Sequence, residues 1–251
     1  MRGDAAAAGY ALFTFEERRD LRAAVADLNR RSWPAFLLHS DVRSWELLFG
    51  PFAVYQLLLC DASDTLIAVG HTAPIAWDGT LTDLPMTIEE ILVRAERTHG
   101  RRGPNTLSAL AAMVEPAQQG RNLSGAVIRE MKVLAARHGC RSLVAPVRPT
   151  WKSRYPLVPF ERYVEWRRDD GMRFDPWLRV HERLGATPLC VAPETLVVEG
   201  RVSEWEEWTG MAFLESGEYV VPGALQPVAI DHERDAGRYV EPNYWMKHPI
   251  G

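Results

Sequence analysis

The chain has 251 residues, 47% of them apolar and 25% charged, enough to bury a sizeable core without a metal or disulfides. A net charge of −4 argues against a protein whose whole surface grips nucleic acid, and no apolar run is long enough to span a bilayer. The three cysteines (Cys60, Cys140, Cys190) form no CxxC pair and no zinc spacing, so they read as buried thiols and the protein as cytoplasmic, with no metal site.

Residues 1–11 are small and polar, lack the apolar core of a signal peptide, and read as a mobile tail. Phe15–Trp33 has a helical pattern, with Leu21, Val25 and Leu28 on one face. Asp41–Phe49 reads as a short helix. Ala53–Cys60 and Thr65–Trp77 read as strands joined by an Asp61–Asp64 turn, hence a hairpin. Thr87 and Glu90 make a capping box for a helix over Thr87–Glu96, and His99–Pro104 is a loop. Thr106–Val114 reads as a strand, Leu123–His138 as an amphipathic helix closed by Gly139, and Ser142–Val147 as another strand. That order predicts a βαβ crossover with a parallel strand pair.

Residues 148–175 lack clean periodicity and read as an excursion with one helix at Phe160–Asp169. Asp175–Leu184 is a helix with Asp175 as N-cap, Pro176 first and Gly185 after its end. Short strands follow near Thr195–Glu199 and Leu225–Asp231, with the acidic SEWEEW stretch between them.

The sharpest chemical signal is the segment from Val114 to Ser124, between a strand and a helix. A helix N-terminus offers free N–H groups and a favourable dipole to an anion. Gly120 lets the backbone approach a phosphate, and Arg121 adds positive charge.

Gln119-Gly-Arg-Asn-Leu-Ser124 resembles the pyrophosphate loop of the GNAT N-acyltransferases, written Q/R-x-x-G-x-G/A and entered through a V-x-P strand end. Val114-Glu-Pro116 matches that entry; Asn122 and Ser124 depart from the loop, where the family has Gly and Gly or Ala. Leu178-Arg-Val-His-Glu-Arg-Leu-Gly185 is similar to the family's A-x-x-L-Y-x-x-x-G-F helix, with His181 in the place of the Tyr that protonates the departing CoA thiolate. The resemblance covers roughly residues 15–190. It implies an α/β (α+β) fold, a mixed central sheet flanked by helices. In it, 12–190 form the acyltransferase core, 148–175 an insertion before the fourth main helix, and 191–251 a β-rich extension packed on the core.

The resemblance also implies the chemistry. A neutral amine attacks a thioester whose carbonyl needs a hydrogen-bond donor, a base takes a proton, and an acid meets the sulfur. The donor site would comprise Met113 or Val114, for the backbone N–H, with Gln119, Gly120, Arg121, Asn122, Leu123 and Ser124. Glu115 is the candidate base and His181 the candidate acid. His71 could reach the acceptor side. Arg148, Trp151, Lys152, Arg154 and Tyr155 form a basic, aromatic cluster at a strand's carboxyl end, where ligands favour binding, and Glu241–His248 could wall an acceptor pocket.

The expected reaction is acyl transfer from acyl-CoA, acetyl-CoA first, to the amine of a small molecule. Two alternatives stay open. One takes its acyl group from an acyl-carrier protein or aminoacyl-tRNA; the other is a non-catalytic acyl-CoA-binding module. A homodimer is compatible with either.

Overall fold

Apolar runs at the start of the chain build the first edge of a sheet. β1 (Ala11–Thr14) pairs antiparallel with β2 (Leu57–Cys60), at the junction between the expected tail and the expected first helix. Between them lies α1 (Arg22–Ser32), which buries Val25 and Leu28, and 3-10 turns at 35–39, 43–48 and 53–55. β2 then turns into β3 (Leu66–Ile75), the expected hairpin, with Asp61 Oδ1 accepting from the Ser63 and Thr65 N–H groups. α2 (Ile88–Thr98) starts on its expected cap, since Thr87 Oγ1 accepts from the Glu90 N–H at 2.9 Å.

β4 (Thr106–Val114), α3 (Leu123–Arg137) and β5 (Ser142–Val147) form the βαβ unit. Next come α4 (Phe160–Val164), shorter than expected, and α5 (Pro176–Arg183), capped by the Asp175 carboxylate. The computed structural model describes residues 9–40, 42–99 and 103–250. Most of the proposed tail, Asp41, and residues 100–102 of the His99–Pro104 loop lie outside that set. Among the described residues no helix is long and apolar enough to cross a membrane.

The sheet order is β1-β2-β3-β4-β5-β9-β8-β7, where β7 is Gly217–Tyr219, β8 Val228–Asp231 and β9 Ala236–Pro249. β6 (Thr187–Gly200) pairs along β9, and the SEWEEW stretch forms α6 (Val202–Thr209). The C-terminal part is therefore not a layer outside the core. β9 is hydrogen-bonded directly to β5, from Ser142↔Pro249 to Val147↔Tyr244, and extends the main sheet.

β4 is where the sheet opens. It pairs with β3 along its length, but with β5 only from Thr106↔Ser142 to Ser108↔Val144. The β3–β4 register slips at His71/Thr72, leaving Leu110 as an extra residue. A bulge reverses the alternation of faces. Leu107 and Ala109 accordingly pack with α3, whereas Ala111 and Met113 pack with α1 and α2.

A third core joins the N-terminal Phe36 and Leu37 to Trp205, Phe213 and Tyr239. Gly237 lies directly beneath Trp205, and a Cβ there would overlap the indole ring. Gly237→Ala is expected to lower stability by about 1–3 kcal/mol through overpacking. Thermal unfolding followed by tryptophan fluorescence measures this, and an unchanged midpoint would contradict the packing.

Candidate active site

The parting of β4 and β5 leaves a cleft of about 1050 Å³ that passes from the N-terminus of α3 through the sheet to α1. On the α3 side, Gly120 has φ +82° and Asn122 has φ +60°, both left-handed. Asn122 thus adopts the backbone that the family pattern assigns to glycine, which Asn tolerates better than most residues. It caps α3 without a side-chain hydrogen bond. The first-turn N–H groups stay available to a ligand, in line with the helix dipole. Gln119, Gly120, Asn122, Leu123 and Ser124 line the cleft; Arg121 is exposed beside it.

The backbone donor follows from the ladder. The Glu115 N–H donates to Ile67 O at 2.9 Å, and antiparallel pairing alternates direction residue by residue. Met113 therefore also faces β3, and Val114 turns its N–H to the gap. Met113 contributes a buried side chain to the wall instead. Glu115, the expected base, does not line the cleft: it pairs with Arg31 of α1 at 2.6 Å. The buried carboxylate on the wall is Glu241 of β9, held by Arg148 Nε at 2.8 Å and by the Tyr239 hydroxyl at 2.9 Å.

His181 lies on α5 at the α3 side of the cleft, edge-on to Trp177. It is 1% exposed, and its Nδ1 is 2.9 Å from His248 Nε2. Burial, with the neighbouring His248, pushes its pKa down to about 3. Burial likewise lowers His248 to about 4, with Lys132 adding to the effect. Both shifts favour neutral rings near pH 7, and the two rings share one hydrogen bond. Among the described residues His181 Nε2 has no partner; it carries a proton only in the tautomer where His248 donates to Nδ1.

His71 is on the α1 side. It is buried between Trp45 and Phe49, each edge-on with centroids 5.4 Å away, and lines the cleft. Burial, then Arg22, lowers its pKa to about 3.

The expected basic cluster does not assemble at the cleft. Only Arg148 reaches the wall, and it is tied to Glu241 and to Gly223 O. Lys152 is fully buried, donating to Tyr155 O at 2.9 Å and Leu225 O at 2.5 Å; burial lowers its pKa to about 8. Arg154 stacks on Trp151, while Tyr155 packs against Tyr163, Trp166 and Phe174. Asp175 ties the segment down, accepting from the Trp151 N–H and the Tyr163 hydroxyl as well as capping α5. The excursion is an aromatic core sealed by buried polar bonds.

Gln56, Asn243 and His248 escaped individual notice in the sequence. Asn243 lines the cleft beside Glu241, and its buried Oδ1 has no partner among the described residues. The Glu241–His248 segment was marked by its polar and aromatic content, but not which of its side chains turn inward.

No protein-family model matches the chain. A curated relative, the arginine N-acetyltransferase avaD of Aspergillus versicolor, is 33% identical over 276 residues, covering 96% of this chain and 94% of the relative. The loading GNATL domain of CurA from Lyngbya majuscula shares the fold at TM-score 0.62 and 18% identity, covering 96% of this chain and 98% of that one. The GphF GNAT-like decarboxylase in complex with isobutyryl-CoA does so at TM-score 0.57 and 17% identity, covering 92% and 96%. These two likenesses bear on fold. The relative's identity over nearly its whole length, with the splayed strands and the loop at α3, identifies the family: the chain belongs to the GNAT superfamily of N-acyltransferases, enzymes that move an acyl group from acyl-CoA to an amine.

Proposed function

We propose that the enzyme transfers an acetyl group from acetyl-CoA to the α-amine of arginine or a close analogue. The carrying observation is the cleft through the sheet, with an anion-ready helix terminus on one side and the buried Glu241 and Asn243 on the other. The 33% identical relative, named an arginine N-acetyltransferase, supports the choice of acceptor. The choice of nitrogen is physical. A guanidinium, with a pKa above about 12, stays protonated and cannot attack, whereas an α-amine loses its proton within the working range.

In this reading Gln119–Ser124 hold the pyrophosphate, with Arg121 beside it, and the Val114 N–H donates to the thioester carbonyl. The amine attacks the carbonyl carbon, the C–S bond breaks, and the amine's proton leaves through water. In the tautomer where His248 donates to His181 Nδ1, the His181 Nε2–H hydrogen-bonds the departing sulfur, which takes its proton from water. Glu241 and Asn243 supply acceptor oxygens for the cationic end of the substrate. Of the three insertion cations behind the tRNA-donor alternative, Lys152 is buried and Arg148 is paired with Glu241, which leaves Arg154 at the surface.

Mass analysis of products tests the acceptor. Arginine should gain an acetyl group on Nα and arginine blocked at Nα should not react; acetylation of the blocked compound would refute the assignment. His181→Phe should keep the ring contact with Trp177 but lower turnover by about 10²-fold, the scale of acid–base loss, with acetyl-CoA affinity retained. Single-turnover thiol release checks this, and wild-type turnover would make His181 a packing residue.

A further inference from the structure

His71 stands apart from the donor machinery, and its hydrogen-bonding state is fixed by its surroundings. Gln56 is fully buried, and its side-chain Nε2 donates to Phe52 O at 2.7 Å and Thr72 O at 2.9 Å. Two carbonyls accept only from an amide nitrogen, so the orientation of the Gln56 amide is settled. Its Oε1 then faces the Thr72 N–H at 3.1 Å and His71 Nδ1 at 3.0 Å. An oxygen already accepting from a backbone N–H offers no proton, so His71 Nδ1 is the donor. A neutral imidazole with its proton on Nδ1 carries a lone pair on Nε2.

That lone pair has no protein partner among the described residues, and His71 lines the cleft on the α1 side of the opened strands. The ring cannot easily turn, being wedged between Trp45 and Phe49. It also flanks the register slip between β3 and β4, opposite Ala111. The charged groups facing it come from α1 and the 43–48 turn: Arg22, whose guanidinium lies over Phe49, and Glu46, which Arg22 binds at 2.7 Å.

We infer that His71 Nε2 accepts an N–H of the incoming amine and so aims the nitrogen's lone pair through the gap at the thioester carbon. An acceptor that stays neutral orients the amine without taking up its proton. A primary or secondary amine supplies the N–H for this bond, whereas a neutral tertiary amine has none to give. The inference rests on the amine-acylation reading given above and adds the group that orients the nucleophile.

Two amide substitutions separate the ring nitrogens. His71→Gln places an amide oxygen near the Nε2 position, whereas His71→Asn reproduces only the Nδ1 contact to Gln56. In the full-length enzyme with acetyl-CoA and arginine, kcat/KM for the amine should fall about 10²-fold in His71→Asn, the scale of a misplaced reactant. His71→Gln should stay within about tenfold of wild type. Acetyl-CoA affinity should be unchanged in both, and the acid limb of the pH profile should not move in His71→Gln. Equal losses in the two variants, or no loss in either, would overturn the inference.

A measurement without turnover covers the case in which the acceptor reading itself fails. Nitrogen NMR of histidine-labelled protein should show His71 protonated at Nδ1 and bare at Nε2, and this state should be lost in Gln56→Leu. A proton found on Nε2 in the wild type would overturn the inference whatever the substrate. Absence of amine-dependent thiol release in the wild type, by contrast, would count against the proposed function.

Discussion

Gly120→Asp should weaken acyl-CoA binding by about 10²-fold while leaving a folded protein. A charge-assisted hydrogen bond is worth about 1.5–3 kcal/mol, and each 1.4 kcal/mol is about a factor of ten in affinity. Losing the close backbone approach and setting a carboxylate against phosphates therefore removes at least that much. There is room for the side chain, since a Cβ at Gly120 would meet nothing within 4 Å. The folding cost is confined to forcing an L-residue to φ +82°, about 1–2 kcal/mol. Gly139→Asn is the control: it has a similar φ of +70° at the far end of α3, equally open, and should leave binding unchanged. Calorimetric titration with acetyl-CoA decides the matter. Wild-type affinity in a folded Gly120→Asp protein would remove the pyrophosphate from this loop.

Arg148→Met should cost about 3–5 kcal/mol of stability, because it leaves the Glu241 carboxylate buried without its cation. The Glu241 side chain is 2% exposed and that of Arg148 16%, so solvent cannot take over. At a few degrees per kcal/mol for a chain this long, the melting temperature should drop by roughly 10 °C. Adding Glu241→Met should recover most of the loss, since replacing both members of a buried pair is close to neutral. The double variant then reports on the acceptor: folded, it should bind acetyl-CoA normally and show a raised KM for arginine. If Arg148→Met melts like wild type, the pair is not structural, and Arg148 returns as a candidate substrate ligand.

Legibility in the sequence followed locality. β4 and β5 were bounded to the residue, and α3 nearly so, because an unbroken apolar run and a 3.6-residue period declare themselves within the segment. β9 carries no such pattern: it includes Pro242 and alternates poorly, and it is a strand because β5 and β6 flank it across long sequence separations. α6 was hidden by its acidic residues, although Val202 and Trp205, one turn apart, are its buried face. The bulge at Leu110 left no trace in a run where every neighbour is small or apolar.

The site divided the same way. The phosphate loop was readable because its geometry is made by consecutive residues. The basic cluster was misread because composition gives charge but not partners, and the partners of Arg148 and Lys152 lie 93 and 73 positions away, at Glu241 and Leu225. The partner of Glu115 was hidden for a similar reason, since Arg31 reaches it from a helix 84 positions earlier. His71 was found, but its tautomer depended on Gln56, whose role appears only when the hairpin closes.

The most direct test of the whole account is the stoichiometry of one reaction: purified enzyme, acetyl-CoA and arginine, with free thiol and acetylated amine counted together. Thiol should be released only when the amine is present, with one Nα-acetylarginine formed for each thiol. Thiol release that does not depend on the amine, or none with arginine while acetyl-CoA binds normally, would contradict it.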